Sequence, residues 1–219
     1  AGVTFSGRVL ATTLSLTGVS GGKNVIFADG QTVALTALNT AVGAYNVTIN
    51  STSFTVTSDT NFLNTGTLIL GNHSTDGLTF SGGLDTTGGP TQVNVAGTIA
   101  TSNTQMDLGA VTLTADGRFD TSNLGSGTLN VGVVTAGTYS LSLDSGSAGN
   151  ATLASISGSG TLAFAAGGTM TVSGAIAMPT GTVRIDAVTG AVVVNGALTA
   201  NSLLATAASY GVQLNGNTT

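Results

Sequence analysis

The sequence is short of the residues that carry most side-chain chemistry and most surface charge. It has no cysteine and no tryptophan, and its acidic residues are nine aspartates without a single glutamate. The lack of cysteine excludes disulfide bonds and thiol chemistry. Charged residues make up 6% of the chain, against about 25% in ordinary globular domains. Because Glu, Lys, Arg and Gln are the usual residues of exposed helix faces, their scarcity predicts a fold with almost no helix.

Positive charge is also scarce, and this limits the partners. The four basic residues, Arg8, Lys23, Arg118 and Arg184, are scattered along a chain whose net charge is −5. Nucleic-acid binding needs clustered Lys and Arg against phosphates, so we expect no nucleic-acid partner. No apolar run reaches the roughly 20 residues of a membrane-spanning helix, so we expect no membrane span.

What the sequence does contain is a repeated strand pattern in a chain that is 41% hydrophobic. The stretch GTMTVSG at 168–174 returns as GAVVVNG at 190–196 and as GVQLNG at 211–216. Each copy carries an apolar–x–apolar pair, which is the period-two pattern of a strand with one buried face. We expect these pairs to stack as inward columns of the core: Met170, Val172, Val192, Val194, Val212 and Leu214.

Two more series of apolar–x–apolar pairs occur, one within residues 139–185 and one within residues 93–131. One contains three pairs at a nearly constant step: Tyr139 and Leu141, Leu162 and Phe164, Val183 and Ile185. The other contains three pairs at a constant, slightly shorter step: Val93 and Val95, Val111 and Leu113, Leu129 and Val131. Gly-Thr or Gly-Ala precedes many strands, and we interpret these glycines as corner residues with positive φ.

Recurrence about every 18–23 residues predicts a solenoid, because each unit must bury its apolar face against its neighbours. We therefore assign an all-β fold class, a right-handed parallel β-helix with about 18–23 residues per coil. An antiparallel β-sandwich is the alternative, since it also has short strands at close intervals. We expect one segment over 1–219, with a less regular start at 1–65 and regular coils over 66–219. Roughly ten coils would make a rod about 50 Å long at the spacing of neighbouring strands.

These motifs resemble those of bacterial haemagglutinin-type proteins and autotransporter passenger domains. The resemblance lies in strands such as GTLIL at 66–70, in apolar-x-Gly endings such as VSG and VNG, and in NVTINSTSFTVTS. It implies a right-handed β-helix stalk that is secreted and lies on a bacterial cell surface or in a filament. Asn-Pro-Asn motifs, which mark the secretion domain of two-partner systems, are absent from the sequence.

The search for catalytic residues in the sequence gives no constellation. His73, in GNHSTD, is the one histidine of the chain, and we interpret it as a solvated turn residue. Ser is so frequent that a Ser–His–Asp triad has no specificity here. The dispersed aspartates suit turns better than a pair of catalytic carboxylates. We expect no enzyme activity, no catalytic residue and no cofactor.

One charged motif has a possible metal interpretation. Asp116, Arg118 and Asp120 alternate in ADGRFD, so with Phe119 inward all three would point to solvent on one strand face. Surface ion pairs are the main interpretation of this pattern. A calcium site using Asp116 and Asp120 is the weaker alternative, because the known calcium-binding loop motifs are absent.

The function that these observations predict is structural. We expect a secreted or cell-surface stalk or filament segment of an adhesin-like protein, extracellular, with copies of itself or further coils of the same polypeptide as partners. The sequence has no polar cap at either terminus, and we expect end-to-end continuity of the rod. The alternative is a surface-binding module on one face of the solenoid, for glycans, including those of host cells, or for ice. Thr-x-Thr motifs occur, but they do not recur at the coil period.

Overall fold

The fold is described by a computed structural model for residues 2–121, 125–206 and 209–219. All regular secondary structure in these ranges is β-strand, and the strand pairings are parallel. The strands stack as a right-handed parallel β-helix of about nine turns. The predicted fold class is therefore confirmed, and the antiparallel sandwich alternative is wrong.

Twenty strands lie in the described residues, numbered in chain order. Strands β1 to β10 are Val3–Phe5, Val9–Leu16, Asn24–Phe27, Thr32–Thr40, Asn46–Ile49, Ser53–Val56, Thr60–Asn61, Thr67–Leu70, Gly77–Phe80 and Leu84–Asp85. Strands β11 to β20 are Gln92–Ala100, Met106–Leu108, Val111–Asp120, Leu129–Gly137, Leu141–Asp144, Ala151–Gly158, Thr161–Val172, Ile176–Val194, Leu198–Ala205 and Gly211–Leu214.

Each coil passes along three faces in the same order. We call them face A, which contains β3, β5 and β8; face B, which contains β6, β9 and β15; and face C, which contains β7, β10, β12 and β20. Longer strands bend around a corner and serve more than one face. Strand β18, for example, pairs with β16, β17, β19 and β20 and runs through all three faces.

The core is made of inward columns, one or more per face, because side chains alternate between the two sides of a strand. Every member of the three main columns is at most 5% exposed. They are, on face A, Val25, Val47, Leu68, Val93, Val111, Val134, Ile156, Ile176 and Leu198; on face B, Val33, Phe54, Leu78, Ile99, Phe119, Leu143, Phe164 and Ile185; and on face C, Leu84, Met106, Leu129, Ala151, Met170 and Val192. Burial of each Val, Leu, Ile, Phe or Met side chain in these columns contributes about 1.5–3 kcal/mol.

The last repeated pairs have the register expected from the sequence. Met170, Val192 and Val212 are paired in turn, as are Val172, Val194 and Leu214. The first two members of each column are at most 2% exposed, and so are Leu162, Phe164, Val183 and Ile185. Val212 and Leu214 differ from the expectation, since they are 46% and 38% exposed. They lie in the last face-C strand of the described chain, so one side of their column is open.

The other two series were aligned partly wrongly. Tyr139 is 37% exposed and lies outside the strands, whereas Leu141 pairs with Leu162 and Leu143 pairs with Phe164. In the third series the step from Val93 to Val111 is correct. The next step fails, because Val111 pairs with Val134, on face A, while Leu129 lies on face C. A fixed step could not detect this change of face, since the corners differ in length.

In the N-terminal third, where the sequence predicts a less regular start at 1–65, the strands also pair in parallel register. Val3 pairs with Val25, Val25 with Val47, and Val47 with Leu68. Phenylalanine rings also link these coils through the core. The ring centroids of Phe5 and Phe27 are 4.9 Å apart.

The glycines of the Gly-Thr and Gly-Ala motifs have a different role from the one expected. Of Gly66, Gly97, Gly109, Gly127, Gly160 and Gly181, Gly97 alone has a positive φ. The others mostly lack room for a side chain. A Cβ at Gly160 would lie 2.2 Å from the Tyr139 carbonyl oxygen, and one at Gly181 would lie 2.4 Å from the Gly160 carbonyl oxygen. Close stacking of corners therefore requires glycine at these positions.

Candidate functional site

The most charged part of the described surface lies on face B, around Arg118. Phe119 points into the core, so Arg118 and Asp120 point outward on β13. The Arg118 Nη2 lies 2.9 Å from Asp120 Oδ2 and 2.7 Å from Asp144 Oδ2. Asp144 follows Asp120 by one coil in the register. The sequence pattern thus predicted an ion pair here, but it missed Asp144.

Asp144 is the most buried member of this cluster. Its side chain is 5% exposed, whereas that of Arg118 is 42% exposed. The second carboxylate oxygen of Asp144 accepts a hydrogen bond from the Gly146 amide at 3.1 Å. A nearly buried carboxylate requires such partners, because desolvation disfavours its charge. Arg118 therefore connects two coils electrostatically.

The structure does not bring Asp116 and Asp120 together as metal ligands. Asp116 is exposed, and its Oδ1 accepts a hydrogen bond from the Ser140 amide at 2.8 Å. Asp120 is paired with Arg118 instead. Within residues 2–121, 125–206 and 209–219, no group of three or more His, Cys, Asp or Glu side chains is arranged to hold a metal ion. The calcium interpretation therefore has no support from the geometry.

Beside this cluster lies a cleft of 330 Å³ on the same face. Its lining includes two charged residues, Asp116 and Arg184, together with Ser140, Ser142, Thr161 and Ala163. Register places Ser142 and Ala163 between Arg118 and Arg184, which are three coils apart. Arg184 Nε is paired with Asp186 at 2.9 Å. The cleft therefore offers hydroxyl groups and balanced charges that suit hydrogen bonding to a polar ligand.

A second cleft brings together aspartates that are dispersed in the sequence. It has a volume of 260 Å³, and its lining includes Asp59, Asp85, Asp107 and Gln105. Asp85 and Asp107 are paired neighbours on face C. The Gln105 amide donates to Asp107 at 2.6 Å, and the Asn130 amide donates to the same carboxylate at 2.7 Å. The sequence separation of Asp85 and Asp107, equal to one coil, was the signal by which this pairing could have been found.

His73 lies in the corner between β8 and β9, and it contacts a residue of another corner. Its Nε2 lies 3.5 Å from Asp29 Oδ2, in the corner between β3 and β4. The two side chains are 60% and 51% exposed. The buried Asp76 stabilises this corner, because its Oδ2 accepts hydrogen bonds from the backbone amides of Asn72 and His73 at 2.9 and 3.0 Å. The histidine is thus exposed, as predicted, and has an acidic neighbour from a different coil.

The two end coils of the described chain expose apolar side chains. Val3 and Leu203, at 47% and 45% exposed, are in register with the buried Val25 and Val183 of the adjacent coils. Leu10 and Leu204 point outward and are 56% and 51% exposed. An apolar cleft of 330 Å³ lies at the second end, lined in part by Leu198, Leu203 and Leu214. The strands there have open edges, whose unpaired backbone groups can accept another parallel strand.

Comparison with known proteins adds no relative: no family model, curated protein or solved structure matches the chain. Within the described ranges, the structure contains no helix with the length and apolar character needed to cross a membrane.

Proposed function

We propose that this chain is a structural segment of a secreted or bacterial cell-surface shaft, adhesin-like in character, whose end coils are covered by further coils or by copies of itself. The observation that carries the proposal is the continuity of the inward columns up to the end coils. Val172 and Val194 are buried, and Leu214, next in the same column, is 38% exposed. Another coil stacked on Leu214 would bury it as Val194 is buried.

The apolar residues exposed on the end coils favour assembly through apolar contacts and not through ion pairs. The exposed residues there are Val3, Leu10, Leu203, Leu204 and Val212, and the chain as a whole is 6% charged. Apolar burial is strengthened or unaffected by salt, whereas screening weakens contacts between charges. Stacking of copies in one direction keeps all strands parallel, and it joins two different surfaces. Such a heterologous contact does not close and therefore produces filaments.

Light scattering of the intact chain tests this proposal directly. We expect its apparent mass to rise with concentration, in low salt and in about 1 M sodium chloride alike. Electron microscopy should then show rods longer than the roughly 45–50 Å of a single chain. A chain that stays monomeric at high concentration, or an assembly that dissolves as salt rises, would refute end-to-end stacking.

A matched pair of variants locates the contact. Val212 and Val133 are both exposed, at 46% and 52%, but Val133 lies in β14, in the middle of the rod. Val212→Lys should reduce association, while Val133→Lys should leave it unchanged. Circular dichroism of both variants checks that the solenoid remains folded. Equal effects of the two substitutions would show that the contact is not at the end coil.

The second candidate function is a glycan-binding face, which the acidic cleft on face C favours. Carboxylate and amide groups are the polar groups that bind sugar hydroxyls, and Asp85, Asp107 and Gln105 present them side by side. A glycan array with the intact chain tests this, with Asp85→Asn as the cleft variant and Asp186→Asn, on face B, as the control. Binding that both variants retain would exclude this cleft as the glycan site.

A further inference from the structure

The chain contains three Asp-Gly sequences, and the structure gives one of them an unusual geometry. They are Asp29-Gly30, Asp76-Gly77 and Asp116-Gly117. In the first, the Gly30 amide donates a hydrogen bond to Asp29 Oδ1 at 2.6 Å. Because Oδ1 is bonded to Cγ, this places the nitrogen next to the carbon with which it can close a five-membered imide. Holding the two reacting groups in one corner in this way raises the rate of an intramolecular reaction.

The other two Asp-Gly sequences are held away from this geometry. The Gly77 amide donates to the Thr52 carbonyl at 3.1 Å, and the Gly117 amide donates to the Ser140 carbonyl at 2.9 Å. The carboxylate of Asp76 is engaged by two other backbone amides. In both cases the glycine nitrogen is therefore bound to a neighbouring coil and is not directed at its own aspartate.

Space and solvent also favour reaction at the first sequence. Gly30 has φ of +69°, and no atom lies within 4 Å of the position that a Cβ would occupy. Asp29 and Gly30 lie in the solvent-accessible corner between β3 and β4, where the Asp29 side chain is 51% exposed. A ring can therefore form there without a clash, and water can reach it to open it again.

His73 completes the arrangement. Its Nε2 lies 3.5 Å from Asp29 Oδ2, the oxygen that the Gly30 amide does not contact, and 3.0 Å from the side-chain oxygen of Asn72. One carboxylate oxygen thus accepts a hydrogen bond from the amide whose nitrogen would form the ring, and the other lies near a group that can donate a proton. A carboxylate oxygen leaves readily only when it is protonated, so a proton donor at Oδ2 assists the reaction.

We propose that Asp29-Gly30 is a site of spontaneous covalent modification, at which the main chain isomerises to an isoaspartyl linkage with His73 as the proton donor. The Gly30 nitrogen forms a bond to Asp29 Cγ, and the bond from Cγ to Oδ2 breaks. Oδ2 leaves as water, with one proton from the His73 imidazolium and one from the Gly30 amide. Water then adds to either carbonyl of the cyclic imide, which restores Asp29 or leaves the main chain running through its side chain.

The modification changes the covalent structure of the corner between β3 and β4 but leaves the atomic composition of the chain unchanged. An isoaspartyl linkage adds one carbon atom to the backbone between β3 and β4 and moves the carboxylate that His73 contacts. The inward residues on both sides, Phe27 and Val33, are at most 1% exposed, so the stacked strands should keep their register. The predicted result is a chain of unchanged mass and fold with an altered surface at this corner.

Peptide mapping of the aged protein tests the proposal. The folded chain is incubated in warm, mildly acidic buffer, and isoaspartate is measured at each Asp-Gly by peptide separation and by labelling with an isoaspartyl methyltransferase. We expect isoaspartate at position 29 to form about tenfold faster than at 76 or 116. In concentrated denaturant the three rates should become similar. Equal rates in the folded chain, or a rate at 29 below that of the unfolded chain, would overturn the assignment.

A substitution at His73 tests its part separately. His73→Gln should lower the rate at Asp29 by roughly threefold to tenfold and leave the rate at Asp116 unchanged. Circular dichroism of the variant confirms that the fold is retained. If the rate at Asp29 is unchanged in this variant, His73 is not the proton donor.

Discussion

Val194→Asp is the substitution that tests the register of the solenoid most sharply. Val194 is 2% exposed and lies between Val172 and Leu214 in one inward column. Loss of the buried valine removes about 1.5–3 kcal/mol of apolar burial. The new carboxylate adds a desolvation cost of several kcal/mol, because no cationic side chain lies in that column. We therefore expect the free energy of unfolding of the coils around Val194 to fall by roughly 4–7 kcal/mol.

The neighbouring residue provides a matched control. Val193 lies on the same strand, but its side chain points outward and is half-buried between Thr171 and Gln213. Val193→Asp places the same charge one residue away, on the solvent side, and should cost about 1 kcal/mol or less.

The assay must resolve single coils. In a repeat protein, stability is approximately a sum over neighbouring units, so the damage can stay close to the substitution. Urea unfolding followed by circular dichroism gives the global effect, and hydrogen exchange shows whether β17, β18 and β20 lose protection first. If both variants are equally destabilised, or if Val194→Asp costs less than about 1 kcal/mol, the inward column and the alignment of its repeats are wrong.

Three further predictions concern single residues away from the main columns. Gly196→Ala should destabilise the chain by about 1–3 kcal/mol, because a Cβ there would lie 2.2 Å from the carbonyl carbon of Gly174. Gly211→Ala is the control and should be nearly neutral, since the nearest atom to its Cβ would be 3.8 Å away. Equal shifts in the melting temperatures of the two variants would contradict this prediction. Arg118→Met should lower the free energy of unfolding, measured by urea titration, by about 1–2 kcal/mol, because it removes the partner of the nearly buried Asp144 carboxylate. Arg184→Met should lower it by less than about 1 kcal/mol, because the ion pair of Arg184 with Asp186 is more exposed. His73→Ala should leave the melting temperature nearly unchanged, because both side chains of its contact with Asp29 are exposed. A large decrease would show that the corner depends on the imidazole.

The fold was predictable because the repeated pairs combine period two with a near-constant step. Met170, Val192 and Val212 have the same register in the structure as in the sequence alignment. Where the corners change length, the same reasoning failed. The step from Leu68 to its partner Val93 is longer than the step from Val93 to its partner Val111. A fixed step therefore assigned Leu129 to the wrong face.

The charged sites were harder to predict, because they are made of residues from different coils. Arg118 and Asp120 alternate on one strand, so their pairing follows from strand geometry. Asp144 joins them from the next coil, and Asp85 lies beside Asp107 for the same reason. The contact of His73 with Asp29 joins two corners that are distant in sequence and do not belong to regular strands. To predict such contacts one must know how many coils separate the two residues and which conformation each corner adopts. The alternation of apolar and polar residues gives neither.

The parallel ladders described above determine how this rod would respond to mechanical force. The hydrogen bonds between coils run along the rod axis, so a pull on its two ends loads the coils in series. The terminal coil should therefore peel away before the others, with no need for the whole core to yield at once. Each coil of about 21 or 22 residues that detaches would release roughly 70 Å of extended chain. A shaft of this kind would lengthen in steps under load and could absorb tension without breaking.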